Sequence, residues 1–296
     1  MKMRLDVLSD LSECIPYNIP DIPLHISIGE LKNFHRYTTA CHWHPDIEIS
    51  LPLEGSMDFF VNGETHCVPP GQGIFINSKR LHYNYSAVGN NCKYLVMTFN
   101  PFALQKDHGS FSAFLEEKFG SPNEDIILLT REKLWHVNIL QNVHQIYEET
   151  QSANCDILRV LSLAFATCSS VRENIKKTAQ SQPPSENWLI IWKMTGFIHK
   201  HYGDKISLDD IAEAGAVCRT KCCEMFSQHF NRTPIAYLTD YRIQKSYEML
   251  RGTACTITEV ALSCGFQSAS YYAYVFRKET GITPRKYRQN IANYVK

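Results

Sequence analysis

Three side chains that can hold a metal ion or hydrogen-bond a polar ligand occur within seven residues, in the segment HWHPDIEISLPLEG. Side chains of an extended strand alternate between its two faces, so the spacing places His42, His44 and Glu48 together on one face. Apolar Ile47 and Ile49 fall on the other face. Imidazole and carboxylate groups bind divalent ions such as Fe, Mn or Ni, and they also hydrogen-bond polar molecules. The segment therefore predicts a polar pocket or a metal site.

This segment resembles the first metal motif of the cupin barrel, H-x-H-x3-E-x6-G, which ends here at Gly55. The second cupin motif is mostly missing. Gly71 and His82 stand where its first glycine and its histidine belong, whereas Asn77 and Lys79 occupy the places of its proline and glycine. The resemblance implies a barrel with a polar lumen and only part of the usual metal motif.

The predicted ligand pocket has four members, which are His42, His44, Glu48 and His82. We expect them to bind a small polar effector such as a sugar, with Trp43 or Tyr83 available for stacking. No cofactor is expected. The alternatives are a metal ion held by the same four residues, or ordered water in a wet interior.

The strands needed to position this pocket are short and closely spaced. Between Tyr37 and Phe99 the runs IEISLPL, MDFFVNG, GIFIN and KYLVMTF are separated by turn signals, of which Asn62-Gly63 is a strong hairpin signal. This pattern predicts an antiparallel sandwich or barrel. Two helical tracts follow, over residues 131–150 and 154–174, and their apolar stripes need a cover. The first stripe includes Leu134 and Leu140. The two tracts pack either on the barrel or against a second copy of the chain.

The C-terminal third contains an internal repeat. "SLDDIA" at residues 207–212 recurs as "TITEVA" at 256–261, and the pattern F-x7-P-x2-Y occurs once in each copy. Each copy begins with a predicted capping box and breaks at a glycine, Gly215 in the first and Gly265 in the second. A second amphipathic helix follows each break. Short helix, tight turn and second helix are the order of a helix-turn-helix unit, whose second helix enters the DNA major groove.

Residues 188–288 resemble the AraC-type DNA-binding domain, which has seven helices and two helix-turn-helix units joined by a long helix. The second unit follows the family pattern closely. The first departs from it at Gly215-Ala216, at Cys218 and at Cys222. By this resemblance, the residues that reach DNA bases are Thr220, Cys223 and Glu224 in the first unit and Ala269, Ser270, Tyr271 and Tyr274 in the second. Residues expected to contact phosphates are Arg219, Lys221, Arg277 and Lys278.

Composition agrees with a two-domain soluble protein that binds a polyanion. The chain has 296 residues, of which 44% are hydrophobic and 20% charged. Residues 188–296 carry 15 Lys+Arg and 9 Asp+Glu, a net charge of +6, which leaves −6 for the remainder. Eleven cysteines without CxxC pairs indicate reduced thiols, and no signal peptide or membrane span is recognisable, so we expect a cytoplasmic protein.

The predicted fold is α+β, with an antiparallel cupin-like β-barrel and flanking helices followed by an all-α domain with two helix-turn-helix units. The predicted organisation is an N-terminal arm (1–20), a sensing barrel (21–125), a helical dimerisation segment (126–175), a linker (176–187) and the DNA-binding domain (188–296). By family resemblance, the arm could close over the ligand.

We interpret the chain as a one-component transcription regulator that forms a homodimer and binds double-stranded DNA and a small effector, with RNA polymerase as a possible partner. We expect no enzymatic activity and no membrane partner. One alternative is a metal-dependent cupin enzyme with an attached DNA-binding domain. The other is a DNA-binding regulator whose barrel only dimerises.

Overall fold

The computed structural model describes residues 7, 11–19, 21–87, 90–104, 110–120, 123–177, 186–230 and 232–294. The chain divides into two compact units, residues 1–183 and 184–296. Antiparallel sheets lie in the first unit, and the described part of the second contains only helices and their connections, which confirms the predicted fold class. Much of the predicted arm, at residues 1–6, 8–10 and 20, and residues 178–185 of the predicted linker lie outside the described residues.

The strands described in the first unit form two antiparallel sheets. Their bounds are β1 Leu24–Glu30, β2 Ile47–Glu54, β3 Met57–Val61, β4 Glu64–Val68, β5 Gly73–Ile76, β6 His82–Tyr85, β7 Lys93–Phe99 and β8 Ile126–Leu129. The larger sheet has the order β1-β7-β2-β5-β8, and the smaller sheet has the order β4-β3-β6. The hairpin predicted at Asn62-Gly63 joins β3 to β4, with positive φ at both residues.

Strand β2 lies at the centre of the larger sheet, and its side chains alternate as the sequence predicts. Ile49 and Leu51 belong to a core on the helix-covered face of this sheet. A second core contains residues from both sheets, including Phe59 of β3 and Ile76 of β5. Glu48 is directly opposite Ile76 in the register, so its side chain shares the face that belongs to this second core.

The strand expected to begin at His42 begins instead at Ile47. Pro45 and Asp46 form a bend, and proline has no N–H to donate to a sheet ladder. His42 and His44 therefore precede the strand that carries Glu48. His42 is held by an isolated antiparallel bridge to His82 at the start of β6.

Three α-helices are described in the first unit, which are α1 Ser110–Phe119, α2 Leu134–Gln151 and α3 Ile157–Asn174. Helices α2 and α3 pack on each other and bury Leu140, Val143 and Val160 in the core on the outer face of the larger sheet. The predicted stripe of α2 is correct for Leu140 and wrong for Leu134, whose side chain is 77% exposed at the first position of the helix. Among the described helices, none is long and apolar enough to cross a membrane.

Seven helices are described in the second unit, the number that the family resemblance implies. They are α4 Glu186–His201, α5 Leu208–Ala214, α6 Arg219–Phe230, α7 Pro234–Gly252, α8 Ile257–Ser263, α9 Ala269–Thr280 and α10 Pro284–Tyr294. Helices α5 and α6 form the first helix-turn-helix unit, α8 and α9 form the second, and α7 is the long helix between them.

Both helix-turn-helix units begin with the predicted capping boxes. The Ser207 hydroxyl accepts from the Asp210 N–H while the Asp210 carboxylate accepts from the Ser207 N–H, and Thr256 and Glu259 do the same. The repeated aromatic residues also pack alike, with ring centroids 5.4 Å apart for Phe226 and Tyr237 in the first copy. In the second copy the ring centroids of Phe276 and Tyr287 are 5.6 Å apart. The internal repeat is therefore a repeat of structure.

Both turns end their first helix with a Schellman motif. The Val217 N–H donates to the Ala212 carbonyl in the first helix-turn-helix, and the Phe266 N–H donates to the Ala261 carbonyl in the second. The left-handed residue of this motif is Gly265 in the second helix-turn-helix, with φ of 77°. In the first helix-turn-helix it is Ala216, with φ of 54°.

The turn glycine predicted at Gly215 thus lies one residue before the left-handed position. Its φ is −87°, so its role is not conformational. A Cβ at Gly215 would lie 2.7 Å from Cγ of Met194, so the missing side chain allows α4 to pack closely.

The two turns should respond oppositely to an alanine-glycine exchange. A Cβ at Gly265 would lie 2.2 Å from the Tyr202 carbonyl oxygen and would also occupy a left-handed position. We expect Gly265→Ala to destabilise residues 184–296 by about 2 kcal/mol or more. Ala216→Gly relieves left-handed strain but adds unfolded-state entropy, so we expect a change within about 1 kcal/mol, in the stabilising direction. Urea unfolding of the isolated unit measures both, and equal losses would contradict the assignment.

Candidate nucleic-acid interface and buried histidine cluster

Helix α9 has a buried stripe and a polar face. Tyr272, Val275 and Phe276 are buried in the core of the second unit, as the spacing predicts. Tyr271 and Tyr274 are 55% and 64% exposed, respectively. These two tyrosines are three residues apart on the helix, so they form one exposed aromatic surface, and each presents a hydroxyl.

The remaining predicted reading residues of α9 lie beside these tyrosines. Ser270 is exposed and Ala269 is half-buried at the N-terminus of the helix, which begins after Ser268. The Ser268 hydroxyl caps the helix by accepting from the Tyr271 N–H at 3.2 Å. Arg277 and Lys278 are exposed in the last turn.

Helix α6 presents a similar face with different chemistry. Cys222, Met225 and Phe226 are buried. Thr220 and Glu224 are exposed, whereas Lys221 and Cys223 are half-buried. The face therefore offers a hydroxyl, a thiol, an ammonium group and a carboxylate. Cys218, whose sulfur is a weak acceptor, occupies the position of the Ser268 cap.

Arg219 at the start of α6 has a protein partner. Its guanidinium forms an ion pair with the exposed carboxylate of Asp209 on α5, and this hydrogen bond lowers the pKa of Asp209. A phosphate at this position would share the guanidinium with that carboxylate or compete with it. Other basic residues hold the fold, because Arg242 donates to the Tyr202 carbonyl and Arg288 donates to the Leu250 carbonyl.

The four residues of the predicted pocket lie together in the first unit. His42, His44, Glu48 and His82 each offer one ligand atom, and these atoms all lie within 4.8 Å of one another. All four side chains are buried, with exposed fractions between 1% and 5%. We call this group the histidine cluster. It assembles three parts of the chain, namely the bridge segment before β2, β2 itself and β6.

Each ring of the histidine cluster is oriented by a backbone carbonyl. Nδ1 of His42 lies 2.8 Å from the Ala40 oxygen, Nδ1 of His44 lies 3.1 Å from the Asp46 oxygen, and Nδ1 of His82 lies 2.8 Å from the Arg80 oxygen. A carbonyl only accepts, so each Nδ1 carries the hydrogen. Each Nε2 is therefore the atom available for the interior. Histidines that bind metals commonly donate the other ring N–H to a backbone carbonyl in this way.

Glu48 supplies the negative charge of the histidine cluster. Its Oε2 lies 3.2 Å from Nε2 of His82 and 3.4 Å from Nε2 of His44, and its Oε1 accepts from the Ser50 hydroxyl. Burial raises the pKa of Glu48, but His82 and His44 lower that pKa by more, and the net result is well below its usual range. Burial also lowers the pKa of His42 well below its usual range. The cluster thus holds a carboxylate beside imidazole nitrogens.

Residues from the N-terminal arm also reach this region, where the family resemblance allows for the arm without identifying any residue of it. Oε2 of Glu13 lies 3.3 Å from Nε2 of His42, and both side chains are buried. The arm pairs with Trp43 through two backbone hydrogen bonds of 2.9 Å, from the Glu13 N–H and to the Leu11 carbonyl. No motif identifies Glu13, because only the fold brings it to His42.

The two aromatic residues expected to stack on a ligand occupy different environments. Tyr83 is 7% exposed, and its ring stacks on Phe60 with centroids 5.0 Å apart, so Tyr83 belongs to the packed interior and not to a rim. Trp43 is half-buried beneath the arm. A different polar group lies near Glu48, because Thr98 is its cross-strand neighbour and the buried Thr98 hydroxyl has no hydrogen-bond partner. That hydroxyl is available to a ligand or a water.

A separate cleft of about 480 Å³ lies between α2 and the C-terminal end of β2. Leu51, Val137 and Leu140 line its apolar part, and Arg131 and His144 are among its polar groups. Since Leu51 and Glu48 face opposite sides of β2, this cleft is distinct from the histidine cluster.

Both units match models of known families. Residues 211–290 match a model described as a helix-turn-helix domain. Residues 26–158 match a model described as an AraC-like ligand binding domain.

Curated relatives match over most of their length. The uncharacterized HTH-type transcriptional regulator YdeC of Bacillus subtilis is 32% identical over 253 residues, which cover 84% of this chain and 85% of that protein. The HTH-type transcriptional activator RhaS of Escherichia coli is 24% identical over 84% of this chain and 87% of its own. A solved structure of ToxT from Vibrio cholerae covers 90% of this chain and 98% of its own, with 13% identity and a TM-score of 0.43.

Tyr274, the more exposed of the two exposed tyrosines of α9, allows a test of base reading. Because a base contact is specific to one position, we expect Tyr274→Ala to reduce discrimination among variants of a DNA site by about 1–3 kcal/mol at one base pair. Binding assays on a panel of single-base variants measure this loss. A uniform loss on all sequences would assign Tyr274 to the DNA backbone.

Lys221→Ala is the matched control on α6. A phosphate contact carries no sequence information, so this variant should weaken binding to all sequences alike and reduce the salt dependence of affinity by about one ion. A sequence-selective loss would contradict its assignment to phosphate.

Proposed function

The chain belongs to the AraC family of transcription regulators, and we propose that it is a one-component regulator that reads a specific DNA sequence and controls a nearby operon in response to a small polar effector. The observation that carries this proposal is the polar, exposed face of α9 on a helix whose other face is buried. Such a face matches the major groove, where base edges present hydrogen-bond donors and acceptors.

We propose that both helix-turn-helix units read DNA. The reading residues are Thr220, Cys223 and Glu224 on α6 and Ala269, Ser270, Tyr271 and Tyr274 on α9. The phosphate contacts are Arg219, Lys221, Arg277 and Lys278. The reciprocal caps and the two Schellman turns support this proposal, because they give the two units the same local frame.

Activation is the regulatory direction that we propose, by analogy with the relative named a transcriptional activator, and RNA polymerase would then be a further partner. We also propose a cytoplasmic location, where thiols stay reduced, and all eleven cysteines are free. We propose no enzymatic activity. A catalytic metal site keeps a coordination position open for substrate, whereas the arm places Glu13 against the histidine cluster.

We propose that the effector acts at the histidine cluster. The spacing of its ligand atoms limits what can fit, because atoms within 4.8 Å of one another leave room for an ion but not for a sugar ring. A sugar would reach this group with one hydroxyl, whereas an ion would meet all four side chains. A thermal-shift screen with sugars and with divalent ions separates these classes, since a ligand of the folded state raises its melting temperature.

We propose that the regulator is a homodimer and that α3 forms the seam. Leu158 is 79% exposed, and Phe165 lies on the same face two turns later. The small Ser162 lies between them and would permit close approach of the same helix from a second copy. Leu140, which would lie in the seam if the first helical tract formed it, belongs to the core of the first unit.

The DNA-binding proposal predicts a footprint. Two reading helices on one domain should protect two patches about 10 bp apart on one face of the duplex, both in the full chain and in residues 184–296. Affinity should fall steeply with salt because phosphate contacts release counterions. One isolated patch would restrict reading to one unit, and absence of protection on any duplex would refute the proposal.

The dimer proposal predicts different outcomes for three leucines. Leu158→Asp should leave the chain folded and convert it from dimer to monomer in sedimentation, because it charges the exposed face of α3. Leu140→Asp should unfold the first unit, since a buried unpaired charge costs several kcal/mol. Leu134→Asp, at an exposed site on α2, is the control and should change neither property. A dimer that persists in Leu158→Asp would place the seam elsewhere.

A further inference from the structure

We propose that the histidine cluster binds one divalent transition-metal ion and that Glu13 supplies an additional ligand, so that the metal fastens the N-terminal arm to the first unit. This inference rests on the proposed function, because it names the effector class of that same site. It replaces the metal-free interpretation that the incomplete second cupin motif favours.

The first support is the direction in which the imidazole rings face. Because all three Nδ1 atoms donate to backbone carbonyls, Nε2 is the ring atom that His42, His44 and His82 turn toward the interior. Those Nε2 atoms lie 3.2 to 3.4 Å from carboxylate oxygens of Glu48 or Glu13. Nitrogen and carboxylate ligand atoms from several parts of the chain therefore converge on one place, as a metal ion requires.

The second support is the size and composition of the donor set. Metal bonds to imidazole and carboxylate are about 2.1 Å long, so donors around one ion lie roughly 3 to 4 Å apart. The ligand atoms of the histidine cluster lie within 4.8 Å of one another, and Glu13 lies 3.3 Å from its nearest member. Three nitrogens and two carboxylates suit Fe²⁺, Mn²⁺, Ni²⁺ or Zn²⁺, and the two negative charges match a divalent ion.

The third support is the way in which the arm is attached. Leu11 is fully buried, and the backbone of residues 11–13 is hydrogen-bonded to Trp43, the residue between His42 and His44. Farther along the arm, the Tyr17 hydroxyl donates to the Asp46 carboxylate at 3.0 Å. Of these contacts, only that of Glu13 reaches the histidine cluster. Metal binding and arm attachment are therefore coupled through Glu13, and by linkage each stabilises the other.

The arrangement points to regulation rather than catalysis. With Glu13 bound, five protein ligands surround the ion. A change in metal occupancy would then be expressed as a change in how firmly residues 11–13 are held, which is a differential interaction of the kind that a switch requires.

The test uses the full chain, freed of metal by chelation and then given Zn²⁺, Mn²⁺ or anaerobic Fe²⁺ alone. Calorimetry and elemental analysis should find about one equivalent of at least one ion per chain. Glu13→Gln keeps the shape of the arm, and we expect it to lower affinity for that ion by about tenfold or more. His82→Ala should abolish binding. Glu64→Gln and His66→Ala change a surface His–Glu pair 3.8 Å apart, and as controls they should leave affinity unchanged.

Hydrogen exchange at the Glu13 and Trp43 amides provides a readout of the arm. The ion should slow this exchange in the unaltered chain and should have no effect in Glu13→Gln. Tyr17→Phe is the control, because it removes an arm contact outside the histidine cluster, so its exchange should be faster but still respond to the ion.

Two results would overturn the inference. Absence of stoichiometric binding for all three ions would refute the metal site. Equal affinity and an equal exchange response in Glu13→Gln would refute the role of the arm. Because DNA protection by the same preparation is measured separately, either result can be told apart from failure of the proposed DNA-binding function.

Discussion

The register of strand β2 decides where the polar groups of the first unit lie. This strand is hydrogen-bonded on both sides, to β5 and to β7, so its register is set by two ladders at once. A shift by one residue would move Glu48 to the helix-covered face and bring Ile49 into the interior that Glu48 now occupies. Every element of the histidine cluster depends on this alternation, because Glu48 is the charge on which the buried imidazoles converge. The same alternation gives α2 and α3 the apolar surface on which they pack.

The second unit could be predicted almost entirely from its sequence because its determinants are local. Ser207 with Asp210, and Thr256 with Glu259, are three residues apart, and the buried stripes of α6 and α9 follow helical spacing. The repeat supplied an internal check on each prediction. The feature that the sequence misplaced is the turn of the first helix-turn-helix. Gly215 is needed there for packing on Met194, and Ala216 takes the left-handed conformation. Packing between helices is not visible in a local pattern.

The first unit was less predictable because its site depends on contacts between distant residues. His42 and His82 are brought together by a bridge across 40 positions, and the motif alone indicated only that both are polar ligands. Glu13 gave no signal, since a single acidic residue in a polar segment is ordinary. The apolar stripe of α2 was recognisable, but whether Leu140 faces the sheet or a second copy is decided by α3, which leaves Leu158 exposed instead.

Charge is distributed unevenly along the second unit, and the ion pair between Arg219 and Asp209 lies in its more acidic half. Helices α5 and α6 carry two basic and four acidic residues, a net charge of −2. Helices α8 and α9 carry two of each, and α10 adds three basic residues and no acidic ones, so this half has a net charge of +3. A polyanion attracts the positive half first, and the domain therefore approaches DNA in a preferred orientation. Encounters with DNA would therefore begin at the end of the domain that carries α9 and α10.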